Sequence, residues 1–202
     1  MTSQIDPVIK KVQTKIIKPK LKAFEAKFEY TLATIRFNNE TYEEIKQFRD
    51  KNKDKIGCIY GIPRLNQKLA PNKPIYILEM NNTENRIMGI GCIENRPIQK
   101  KLFLHKIGTY NRFIFVGKNR IDRTEMTKEE EDIIKEIEIL CFKSPNHLKR
   151  GQGIIKFPMK TILKCYICKH NLFTYISTMF KKRYTPSPSL SSTIDTPKDK
   201  NT

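Results

Sequence analysis

Five consecutive residues, Lys149-Arg150-Gly151-Gln152-Gly153, combine what recognition of a phosphate requires. Lysine and arginine bring positive charge, glutamine brings an amide, and glycines let a backbone N–H approach an oxygen closely. The competing assignment is an ordinary tight turn with a solvated Lys–Arg pair. Upstream, Arg112, Lys118, Arg120 and Arg123 are spaced along an expected strand and the loop after it, while Arg64 and Lys68 lie in an earlier loop. Together these positions form the candidate nucleic-acid-binding set. For Arg120 and Arg123 the alternative is an ion pair with Asp122, Glu125 or the acidic residues at 129–132. Tyr110, Phe113 and Phe115 interleave with Arg112, so one aromatic is available to stack on a base. On a strand Phe113 and Phe115 share a face, which also suits packing in a core.

Other chemistries have thinner support. Cys165-x-x-Cys168-x-His170 has the spacing of half a zinc site, but Cys141 and His147 would have to converge on it. Buried, inert thiols are the alternative. There is no phosphate-binding G-x-x-x-x-G-K-[ST] loop, no G-x-S-x-G and no H-E-x-x-H. Glu79, with Lys101 or Lys118, is a conceivable nuclease carboxylate, yet no second carboxylate stands at a recognisable spacing. Its simpler role is a strand-end residue paired with an arginine. No enzyme activity and no cofactor are therefore expected.

The charge that would draw a polyanion is concentrated. The 202 residues carry 39 Lys plus Arg against 21 Asp plus Glu, a formal net charge of +18. Between Glu138 and Asp195 there is no acidic residue, and a second basic run, from Lys10 to Lys27, opens the sequence. Such a field attracts nucleic acid, an anionic membrane surface or an acidic protein. A merely lysine-rich surface is the plainer alternative. No apolar run reaches the roughly 18 residues of a membrane-crossing helix. Met1 to Lys11 has no apolar region of the secretory type. Five cysteines, odd in number and irregularly spaced, argue against a disulfide framework and for a reducing compartment.

The elements that must position these groups read as one α+β domain over 21–183. A basic flexible arm is expected at 1–20 and a disordered Ser/Thr/Pro-rich tail at 184–202. Alternation over 27–37 predicts a strand with Phe28, Tyr30 and Leu32 on one side. Thr41 and Glu44 form a capping-box pattern that opens a helix over about 42–53. Strands follow at 56–62, 74–80 and 86–93, the last two joined by the turn Asn81-Asn82-Thr83-Glu84-Asn85. Gly89 and Gly91 are two apart on one strand, so they share a face against which something packs closely. Further strands are expected near 101–107 and at 110–116. A helix over 128–141, opened by Thr127 and Glu130, carries the stripe Ile133, Ile134, Ile137 and Leu140. A last helix, about 158–182, follows the loop 143–153. The predicted fold is a curved, mainly antiparallel sheet or small barrel with two or three flanking helices.

The block GIPRLNQKLAPNKPIYILEMNNTENRIMGIGCIENRP, residues 61–97, resembles the core of PUA-like domains, the superfamily that includes EVE and YTH modules. The resemblance implies a nucleic-acid pocket beside a strand bearing G-x-G. The chain has no Trp, so an aromatic cage for a methylated base is not expected. Three blocks, LEMNNTENRIMGIG, YNRFIFVGKNRIDRTEM and HLKRGQGIIKFP, resemble a family of uncharacterised proteins of large nucleocytoplasmic DNA viruses. That likeness implies a viral protein working in host cytoplasm, virus factory or nucleus, with packaging in the virion as a further option. The expected function is non-catalytic nucleic-acid binding, DNA or RNA, through a basic face. A structural protein of the virion or factory with sequence-blind contacts, or a nucleic-acid-processing enzyme, are the alternatives.

Overall fold

The computed structural model describes residues 28–158 except 68, 70–72 and 146, together with 172–184 and the isolated positions 23 and 26. Outside the described residues lie the expected arm 1–20, the tail beyond 184, and Lys68. So do Cys165, Cys168 and His170 of the zinc pattern, and 159–171 of the expected last helix. In chain order the elements are β1 (Thr31–Phe37), α1 (Asn39–Asp50), β2 (Cys58–Ile62), β3 (Pro74–Asn81), β4 (Arg86–Glu94), β5 (Phe113–Gly117), β6 (Asn119–Asp122), α2 (Lys128–Glu138), β7 (Ile155–Lys156) and α3 (Leu172–Tyr184).

Five strands form an open mixed sheet in the order β6–β4–β3–β1–β7, and β2 pairs with β5 in a separate ribbon. The sheet is not a closed barrel. Its central pair, β1 with β3, runs parallel, with Thr31 opposite Ile75 and Phe37 opposite Asn81. Parallel neighbours need a crossover, and α1 with β2 lies in that connection. The other pairings are antiparallel.

Both faces of the sheet are covered, so β1 is buried along almost its whole length. On one face Leu32, Leu78, Met80 and Ile90 pack with Ile134 and Ile137 of α2 and with Ile176, Met179 and Phe180 of α3. On the other, Ala33, Ile35, Ile75 and Ile77 pack with Ile45 of α1 and with Ile59, Tyr60, Ile114 and Phe115 of the ribbon. Phe115 is therefore core, and Phe113 is packed against it. The shared face of Gly89 and Gly91 is where the ribbon meets the sheet. A Cβ on Gly91 would lie 1.9 Å from the Tyr60 hydroxyl and 2.9 Å from Cys58 Sγ.

Local chemistry sets the helix starts. Asn38 Oδ1 accepts from the Thr41 N–H at 2.8 Å, and Thr41 Oγ1 accepts from the Asn38 N–H at 3.1 Å. The capping box of α1 is thus Asn38–Thr41, three residues earlier than the expected Thr41–Glu44. The Thr127–Glu130 box opens α2 as expected. Two short strands, β6 and β7, fall in segments read as loop. The strand expected at 101–107 is irregular, and a single 3-10 turn, Gly108–Asn111, precedes β5. Asn111 explains this: its Oδ1 takes the N–H groups of Leu104 and His105 at 2.9 and 2.8 Å, and its Nδ2 donates to the His105 carbonyl. Those bonds remove the segment from ladder pairing.

Candidate functional site

Arg36 is a charged residue on a strand whose two faces are both buried. Its Nε donates to the Leu148 carbonyl. Its Nη1 is enclosed and has no hydrogen-bond partner, and among the described residues no carboxylate pairs with it. Burial without a counter-charge pulls the pKa of this guanidinium below its ordinary value. Arg36 lines a cleft of about 250 Å³ at the C-terminal end of β1. The Gly151–Gly153 turn forms one wall, Asn38 and Thr41 at the start of α1 another, and His105, Ile107 and Tyr110 a third. Gly151 and Gly153 have φ of +108° and +75°, a region that favours glycine. A Cβ at 151 would also stand 2.5 Å from Ile155 Cδ1 and in contact with Arg36 Nη1 at 3.5 Å.

His105 faces the same cleft and is only 6% exposed. Its Nδ1 lies 2.6 Å from Glu44 Oε2, and Glu44 Oε1 accepts from the Lys106 N–H. Glu44 therefore orients an imidazole instead of capping α1. Gly61 makes room for this wall: a Cβ there would stand 2.5 Å from the Tyr110 carbonyl and 3.0 Å from His105 Cδ2. Asn82 forms part of the floor. Its Nδ2 donates to the Lys149 carbonyl at 3.1 Å, which leaves Oδ1 enclosed and without a partner.

A second hollow of about 280 Å³ adjoins the cleft and shares Tyr110 and Gln152 with it. Arg64 and Arg112 line it, and both are exposed. The structure thus brings together Arg64, Arg112, Gly151, Gln152 and Gly153 of the sequence-based set. Lys149 and Arg150 enter the same turn. Lys149 lies over the Phe142 ring at 5.9 Å, and Arg150 is exposed.

Three members of the set are elsewhere. Arg120 is buried in ion pairs, with Nη2 2.7 Å from Glu79 Oε2 and Nη1 2.5 Å from Asp122 Oδ2. Arg123 pairs with Glu131 and with Glu138, and its side chain is 4% exposed. Neither guanidinium is available to a phosphate, so the ion-pair alternative describes both. Lys118 is exposed but lines a different hollow, with Lys46 and Lys53 at the far end of α1. A 12-residue helix is roughly 18 Å long, which separates Lys118 from the cleft.

Glu79 has no exposed surface and is the centre of a network rather than a metal ligand. Tyr60 donates to it at 2.8 Å, Arg120 through two nitrogens, and Arg49 at 3.4 Å. Burial alone would raise its pKa, but the charge and hydrogen bonds of Arg120 outweigh that and hold it below the ordinary carboxylate value. Among the described residues there is no group of three or more His, Cys, Asp or Glu placed to hold a metal. Cys141 lies in the core and His147 Nδ1 accepts from the Lys149 N–H. None of the described helices is long and apolar enough to cross a membrane.

Arg36, His105 and Asn82 were missed by motif reading. For Arg36 a signal existed: it continues the Phe28, Tyr30, Leu32 side of an alternating strand, where a charge is out of place. His105 and Asn82 gave none, because their setting is made by contacts distant in sequence. Comparison with known proteins adds no identity: no family model, no curated protein and no solved structure matches the chain.

Proposed function

We propose that this is a non-catalytic nucleic-acid-binding protein whose interface is the Arg36 cleft and the basic rim beside it. The observation that carries the reading is Arg36 itself, a desolvated cation with an enclosed, unpaired N–H and no carboxylate beside it. An isolated buried charge is costly to folding, and an anionic ligand is the natural compensation. Arg64 and Arg112 add positive charge in the adjoining hollow, and Lys149 and Arg150 stand immediately before the Gly151–Gly153 wall of the cleft. Contacts of this kind position a backbone without reading bases.

We read the architecture as an open relative of the PUA-like arrangement. The support is the β3–β4 hairpin, whose G-x-G strand lies against the ribbon, next to a parallel β1–β3 crossover. On the three sequence blocks we assign the protein to a large DNA virus, acting in host cytoplasm, virus factory or nucleus.

The test is a titration of hydroxyl-ended DNA and RNA oligonucleotides, single- and double-stranded, at two salt concentrations. Affinity should fall with salt at a log–log slope of about −0.7 to −0.9 per phosphate contact. Arg64→Ala with Arg112→Ala should reduce that slope by about two. Binding absent at low salt, or independent of salt, would overturn the reading.

A further inference from the structure

Two enclosed polar atoms without partners, Arg36 Nη1 and Asn82 Oδ1, belong to residues that line the same 250 Å³ cleft. One is a donor with positive charge and the other an acceptor. The bond from Asn82 Nδ2 to the Lys149 carbonyl fixes which end of the amide is the oxygen. A third polar group, His105, is 94% buried by its 6% exposure and is held at Nδ1 by Glu44. Its ring lies edge-on to that of Tyr110, which lines the same cleft. No carboxylate lines the space. These are the fittings of an enclosed anion subsite, and they differ from the exposed arginines of the rim.

We propose that this subsite takes the terminal phosphate monoester of a nucleic-acid strand, in preference to the phosphodiesters along its length. The inference rests on the nucleic-acid reading above and specifies its ligand. The volume of about 250 Å³ suits one phosphate with part of its sugar. The charge is concentrated on a single enclosed guanidinium, whereas a backbone track needs cations spread along a groove. A monoester carries a charge of about −1.5 to −2 near neutral pH, against one for a diester, and has three free oxygens. It therefore compensates a lone buried arginine better than a diester does. Its hydrogen-bonding also fits. The ionised oxygens accept from Arg36 and from the backbone of the Gly151–Gly153 turn, while a P–OH or a neighbouring sugar hydroxyl donates to Asn82 Oδ1. The His105 imidazole, held at Nδ1 by Glu44, completes the polar lining.

The experiment compares oligonucleotides identical except for their ends: 5′-phosphate, 3′-phosphate or hydroxyl at both. The intact wild-type protein should bind one phosphorylated end about tenfold or more tightly than the hydroxyl form, the size expected of a charge-assisted hydrogen bond. Arg36→Gln and His105→Gln should each weaken binding of the phosphorylated end by a larger factor than binding of the hydroxyl-ended form. Inorganic phosphate and a nucleoside monophosphate, added as competitors, distinguish the sources of the group. Competition by the nucleotide well below the concentration needed of phosphate supports a nucleic-acid end. Equal competition by both overturns that specificity. Equal affinity of wild type for all three ends overturns the subsite and leaves the rim reading standing if binding is still salt-dependent. Loss of all binding overturns both. The wild-type comparison decides the matter even where a variant fails to fold.

Discussion

Glu79 is a carboxylate without exposed surface, bonded to Tyr60, Arg120 and Arg49. Removing the charge of one partner from such a cluster is costly, because the remaining ions stay desolvated. Glu79→Gln should destabilise the fold by about 3–5 kcal/mol in chemical denaturation. A loss below about 1 kcal/mol would show that water reaches the arginines and replaces the carboxylate. Asp122 sits at the same cluster's edge. Burial acts to raise its pKa, but the Thr124 N–H and Arg120 outweigh it and hold the carboxyl down at about 2, from an ordinary 3.8. A carboxyl lowered on folding stabilises above its unfolded pKa, and that contribution disappears as pH falls through the folded one. Stability followed by circular dichroism should therefore decline between about pH 4 and pH 2, and Asp122→Asn should flatten that decline. At this scale the sequence was half legible. Glu79 was readable as a strand-end carboxylate seeking an arginine, but not which arginine, since Arg49 and Arg120 stand 30 and 41 residues away. Arg120 and Arg123 show the reverse problem. Their type and spacing suggested phosphate contacts, and only the fold reveals the carboxylates that occupy them.

Between elements, the start of α2 is tied to the end of α3. Thr127 caps α2 reciprocally with Glu130, and Glu130 also accepts from Arg183 at 2.8 and 2.6 Å. Thr127→Ala should cost about 1 kcal/mol, the usual loss for an N-cap hydroxyl. Glu130→Ala should cost more, because it removes its half of the box and leaves Arg183 unpaired. The double variant Glu130→Ala, Arg183→Ala should fall short of the sum of the single losses, as groups in contact do. Strict additivity in urea titrations would mean that the helices are held by Ile134, Ile137, Ile176 and Met179 alone. The α2 box was legible because it is local: Thr, three residues, Glu. The α1 box was displaced because Glu44 serves His105, a residue 61 positions later. β6 and β7, of four and two residues, are too short to show alternation. The parallel β1–β3 pairing was hidden for a different reason. Strand periodicity tells which face is buried, but not the direction of a neighbour reached through a crossover.

Over the whole molecule, the acid-free stretch does two separate things. Its C-terminal part ends α3 with Lys181, Lys182 and Arg183, where the acidic first turn of α2 faces them. The Glu130 carboxyl is lowered chiefly by its bonds to Arg183, with Lys182 adding to the effect. Of these three charges Arg183 is the one held in an ion pair, with Glu130. Its N-terminal part holds Lys149 and Arg150, which lead into the Gly151–Gly153 wall of the cleft, and Gln152 of that wall also lines the hollow of Arg64 and Arg112. Concentration of basic residues in sequence thus covers two different settings, a turn that walls the cleft and a helix end whose Arg183 is held by Glu130. The last prediction separates the two. Lys149→Gln with Arg150→Gln removes both charges and keeps part of each stem, so the contact of Lys149 with the Phe142 ring loses its charge and some of its packing. The variant should stay within about 0.5 kcal/mol of the parent in stability. It should bind hydroxyl-ended oligonucleotides more weakly at low salt and show a salt slope smaller by up to about two. A control variant, Lys181→Gln with Lys182→Gln, should leave affinity and slope unchanged, because neither lysine lines the cleft or the hollow beside it. A folded Lys149/Arg150 variant with unaltered slope would reduce the turn to a wall of the Arg36 cleft. A control that loses as much as the test pair would mean that charge anywhere on the surface suffices, and that the interface has no fixed position.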